Sequence, residues 1–149
     1  MTGNLYSTDK ISPGKFKPHG RVEYEERGNI LWTRAVGPFN AELVEVMGAL
    51  VRDVFPGMAS KGTWVNLCEF EQSALCTPEA LAHLTTLGRQ LVQLKLAPSG
   101  IAFVLPHEIE GATFMGPHYA KHIREAEVRF EWFATVALAE KWAESVLSQ

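Results

Sequence analysis

Apolar and polar positions first alternate at Val22 and Tyr24, set between Arg21, Glu23 and Glu25, which is the period-two pattern of a half-solvated strand. Arg27-Gly28-Asn29 supplies turn chemistry, and the run Ile30 to Val36 follows as a second strand, so the pair predicts an antiparallel hairpin. Gly37-Pro38-Phe39-Asn40 breaks that strand and opens a helix. Asn40 is a good N-cap, with Phe39 and Val44 placed to close over it as a hydrophobic staple. Leu43, Val46, Met47, Leu50 and Val54 recur at helical spacing, and Pro56-Gly57 predicts the stop. Trp64 to Cys68 reads as the next strand, with Glu69 and Phe70 at its exit.

Thr77-Pro78 starts a second helix, the threonine as cap and the proline at the first helical position, where no N–H is needed. Ala80, Leu84, Leu87, Leu91 and Leu94 form its buried stripe. After Pro98-Ser99-Gly100, the unbroken apolar run Ile101 to Leu105 suits a strand covered on both faces. A third helix over 112–125 carries Met115, Tyr119 and Ile123 in register, and Val128, Phe130 and Trp132 alternate as an outer strand. Thr135 caps a last helix with the stripe Leu138, Ala139, Trp142 and Val146. The order predicts one α/β domain: an N-terminal hairpin, then a right-handed (βα)4 array with a mainly parallel sheet over 21–149. Residues 1–20, with no apolar period, read as a polar arm that is either mobile or laid on the domain.

At 149 residues the chain is long enough for one core that buries roughly 70% of the unfolded surface. A net charge of −3 gives no basic footprint, so nucleic acid is not an expected partner. No apolar run approaches the roughly 18 residues of a membrane span or the shorter core of a signal peptide. With only Cys68 and Cys76 there is neither a disulfide framework nor a CxxC zinc pair, and a reducing cytoplasm is the expected location.

A leading hairpin, four strand–helix units, the Gly37-Pro38-Phe39-Asn40 strand exit and the Phe133-Ala134-Thr135 to Trp142 ending together resemble the SpoIIAA-like, or STAS-like, superfamily. The resemblance covers roughly residues 21–149 and rests on pattern more than identity. It implies a non-enzymatic regulatory or binding domain: an anti-sigma-factor antagonist, a transporter's regulatory module or a small-ligand sensor. Antagonists of that superfamily carry a phosphorylated serine at the start of the second helix, in an Asp-Ser-Ser-Gly-like run. The matching stretch, Leu75-Cys76-Thr77-Pro78, lacks the aspartate and the Ser-Gly pair. Only a hydroxyl on Thr77 survives as a phosphorylation candidate, and a plain helix cap explains it more simply.

Ligands of open parallel sheets gather at the carboxyl ends of the strands, beside helix N-termini. That rule makes Asn40, Glu69, Cys76, Thr77 and His107 the candidate binding surface for a protein partner or a small apolar or anionic ligand. Residues 70–76 are the longest and most mixed loop of this rim. A thiolate at Cys76 would gain from the neighbouring helix N-terminus, although a structural thiol is the simpler reading. His118 and His122 lie four apart on one helix face, and His107 precedes them. Together they define the alternative, a metal-dependent enzyme, but with no HExxH run the bland reading is a solvated helix face. No cofactor is implied. Trp32, Trp64, Trp132 and Trp142 read first as core, and otherwise as the lining of an apolar pocket. An exposed edge at 21–25 would permit a homodimer.

Overall fold

The computed structural model describes residues 5–11 and 17–149. Its strands are β1 (Leu5–Ser7), β2 (Arg21–Arg27), β3 (Ile30–Val36), β4 (Val65–Glu71), β5 (Gly100–Val104) and β6 (Phe130–Phe133). Its helices are α1 (Ala41–Ala59), α2 (Pro78–Gln93), α3 (Ala112–Glu125) and α4 (Val136–Leu147). The six strands form one sheet in chain order, antiparallel from β1 to β3 and parallel from β3 to β6. The hairpin and the alternating strand–helix units are therefore as the pattern predicts. No helix among the described residues is long and apolar enough to cross a membrane.

Crossovers of one hand that always step in one direction put their helices on one face of the sheet. Accordingly α1, α2 and α3 pack side by side over one face, here called the inner face. The fourth unit departs from the uniform winding expected. With no strand to return to, α4 covers the other face, where Leu67, Ala102 and Val104 would otherwise meet water. Ala139 and Ala143, both fully buried, let α4 approach β4 and β5 closely.

Strands β5 and β6 are shifted by one or two residues from expectation, and three larger differences have physical causes. The arm is not wholly separate: Leu5–Ser7 pairs with β2, and a 3-10 turn at Thr8–Lys10 buries Thr8, whose hydroxyl accepts from Val22 N at 3.0 Å. The outer edge on that side is therefore β1 and not residues 21–25; the rest of the arm expectation, at 1–4 and 12–16, lies outside the described residues. Helix α1 runs through Pro56 to Ala59, because Met58 in its last turn is fully buried and anchors that turn. Strand β4 extends to Glu71, since β3 offers it a parallel partner as far as Val36.

Candidate functional site

The three rim loops do converge, and they join as an extension of the sheet. Phe39 N donates to Leu75 O at 2.9 Å and Thr77 N to Phe39 O at 3.2 Å, so residue 39 bridges residue 76. Ala74 N donates to Glu110 O at 2.8 Å, and Ser73 Oγ to Glu110 Oε1 at 2.7 Å. The loops touch so closely that a Cβ on Gly37 would lie 2.1 Å from Ser73 O, and one on Gly111 would lie 2.5 Å from the Leu75 side chain. Gly111 also has φ +75°, a conformation other residues adopt only with strain.

The candidate rim side chains are engaged in this architecture. Asn40 Oδ1 accepts from Leu43 N at 3.0 Å, the cap, and from His19 N at 2.9 Å, while its Nδ2 donates to Lys17 O at 3.2 Å. It therefore pins residues 17–19 to the start of α1. Thr77 Oγ1 accepts from Ala80 N at 3.1 Å, the cap of α2. Glu69 is not brought to the others. Strand alternation turns it to the α4 side of the sheet with Trp32, whose indole N–H donates to it. His107 is exposed on the β5–α3 loop.

Cys76 is half-buried beside Tyr119, which is 2% exposed and donates its hydroxyl proton to Ala74 O at 2.7 Å. Burial pushes the Cys76 thiol up to about 11, and the tyrosine hydroxyl opposes this only in part. Burial outweighs the helix N-terminus, and the direction is that of a structural thiol. Burial likewise raises Tyr119 well above its usual value, helped by the nearby Cys76, and raises Cys68 and Tyr24.

His118 and His122 stand four apart on α3, as expected, but have different neighbours. His118 is exposed and packs its ring on Phe114, centroids 4.8 Å apart. His122 Nδ1 lies 3.2 Å from Thr85 Oγ1, whose own proton goes to His122 O at 2.9 Å. Among the described residues no group of three His, Cys, Asp or Glu side chains stands at metal-binding spacing.

Free space is found inside the domain. A cavity of about 120 Å³ lies between the inner sheet face and the helix layer, bounded by Ala35 and Phe70 below and by Leu43, Leu87 and Ile123 above. Its walls are almost wholly apolar and include none of the four tryptophans. The polar side chains among its lining residues are Tyr24, Thr33, Asn66 and Tyr119, besides the two cysteines. Asn66 Nδ2 donates to Leu31 O at 2.9 Å and to Thr33 Oγ1 at 2.6 Å. Of the rim candidates only Cys76 lines this cavity. The sequence reading missed the others, although Asn66, an amide amid the apolar run Trp64 to Cys68, is a visible signal. No family model, curated protein or solved structure matches the chain.

Proposed function

We propose that the chain is a non-enzymatic binding module that takes a small, largely apolar molecule into the cavity between the inner sheet face and α1–α3. The cavity is the observation that carries this reading. Protein interiors pack to a density near ~0.75, so a void of about 120 Å³ is an exception to be explained. At about 24 cal/mol per Å³, such a void costs roughly 3 kcal/mol of stability, which a fitting ligand recovers on binding. An engineered apolar cavity of about 150 Å³ in another protein binds benzene, which sets the ligand scale at a single ring or a short alkyl chain.

The rim supports a structural role for its own residues better than recognition of a protein partner. Asn40 and Thr77 are committed to caps, and Ser73 and Glu110 to each other. The hairpin and strand–helix units on which the STAS-like resemblance rests are the elements of this fold, and a ligand-sensing role is one that the resemblance implies. Thermal unfolding and amide NMR spectra recorded with benzene, toluene and short-chain alkanols test the proposal. The expected result is saturable stabilisation with shifts centred on Ala35, Phe70 and Leu87. Unchanged melting and spectra with every compound near its solubility limit would remove it.

A further inference from the structure

We infer that the cavity selects a hydroxyl-bearing apolar molecule, with Asn66 and Thr33 together receiving the O–H group; this rests on the cavity being the ligand site. Both residues line the cavity, and both are withdrawn from bulk water, Asn66 at 8% and Thr33 at 3% exposure. Their hydrogen bonds fix what each has left to offer. Leu31 O can only accept, so the nitrogen of the Asn66 amide, and not its oxygen, faces it at 2.9 Å. The second amide hydrogen goes to Thr33 Oγ1 at 2.6 Å. Both donors of Asn66 are then used inside the protein, and its Oδ1 remains as an acceptor. Thr33 Oγ1 accepts that bond, so its own hydrogen remains as a donor.

The pair thus offers one acceptor and one donor from neighbouring strands, in a mostly apolar wall whose other polar side chains are Tyr24, Tyr119 and the two cysteines. A hydroxyl is the smallest group that answers both, since it donates to Asn66 Oδ1 and accepts from Thr33 Oγ1–H. A carboxylate or phosphate fits poorly. It has no proton to give Asn66 and brings a charge into an apolar interior with no cation among the lining residues. A hydrocarbon leaves Asn66 Oδ1 and the Thr33 hydroxyl hydrogen unanswered, a loss that sites built for a hydroxyl turn into selectivity. The volume of about 120 Å³ confines the body of the ligand to about one ring. The chemical class is a phenol or a compact alcohol.

Phenol and benzene share a skeleton and differ in that one group, so their affinity ratio isolates it. Calorimetric or NMR titration of both against wild-type protein, Asn66→Leu and Thr33→Val gives the measurement. The expected result is a phenol-to-benzene affinity ratio roughly tenfold higher in wild type than in either variant. Thr33→Val keeps the shape of the side chain in a strand that favours valine, so it carries the test if Asn66→Leu does not fold. A ratio that is the same in wild type and variants overturns the hydroxyl assignment while leaving the cavity as a binding site. Failure of wild type to bind either compound overturns both readings.

Discussion

Replacing Ala35 by valine separates a true interior void from an ordinary packed core, because the two predict opposite signs. Ala35 is 3% exposed, lies on the inner face of β3 and lines the cavity. Valine adds two methyl groups there. If they enter free space, each contributes about 0.8 kcal/mol of burial, giving a stabilisation of about 1.5 kcal/mol. If the space is already filled, overpacking costs roughly 1–3 kcal/mol. The gap between these outcomes exceeds the gain of up to about 1 kcal/mol that valine draws from strand preference alone, a gain that Ala102→Val shares. Ala102→Val is the matched control. Ala102 is a fully buried strand alanine on the opposite face, packed against the α4 side, and does not line the cavity, so it should be destabilised by overpacking. Urea unfolding of both variants, followed by the fluorescence of the buried Trp64, reads the difference. The valine methyls also occupy ligand volume, so benzene should bind Ala35→Val several-fold more weakly than wild type. Destabilisation of Ala35→Val equal to that of Ala102→Val, with benzene affinity unchanged, would refute the reasoning.

Asn40→Ala removes a cap and a tether together; it should cost about 1–2 kcal/mol in denaturation and speed hydrogen exchange at the His19 amide, which loses its 2.9 Å acceptor. A stability loss with His19 exchange unchanged would show that the tether is unimportant. Tyr119→Phe leaves the fully buried Ala74 carbonyl without its 2.7 Å donor and should cost about 1–3 kcal/mol in urea unfolding, whereas a loss below about 0.5 kcal/mol would argue against that bond. The Cys76 thiol ionises near 9.0 when unfolded and at about 11 when folded, so the unfolded chain releases its proton first as pH rises. The stabilisation is full below pH 9 and is lost between pH 9 and 11, on the order of 2 kcal/mol once partial exposure is discounted. Cys76→Ala should make the alkaline decline in denaturation midpoints shallower by this share, the part due to buried Cys68, Tyr24 and Tyr119 remaining, and an unaltered slope would contradict the burial of the thiol.

Local chemistry was readable wherever it was decided locally. Asn40, Thr77 and Thr135 cap their helices as their positions before apolar stripes require, and α3 occupies 112–125 because Met115, Tyr119 and Ile123 share one face. What escaped was decided by partners distant in the chain. Strand β1 has three residues, too few for a period, and exists because β2 pairs with it. Pro56 signals a stop, yet burial of Met58 one turn's reach later keeps the helix going. At Cys76 the helix dipole and burial oppose each other, and only the bridge to Phe39 and the packing of Tyr119, both distant in the chain, decide for burial. The cavity has no period at all, since free volume arises only where five or more elements fail to meet. Asn66 was its one local trace, an amide inside an apolar strand that needs buried partners to be tolerated.

The strand order explains why the rim closed and the interior did not. A rim crevice forms where neighbouring crossovers leave the sheet on opposite faces, at a reversal of strand order. Here β3 to β6 never reverse, so their loops leave side by side and are free to pair. Gly37 and Gly111 remove the Cβ atoms that would hold those loops apart, and the Phe39–Cys76 and Ser73–Glu110 bridges complete the closure. The same order lays three helices across one twisted inner face. Straight helices cannot follow a twisted surface at every point, and α1 and α2 must also satisfy their contact with each other. The free space left between the layers is lined on the sheet side by Ala35, a small residue, and by Thr33 and Asn66, short polar ones. In this topology the binding space moves from the ends of the strands to beneath their helices, and its polarity is set by the few strand residues that cannot be apolar.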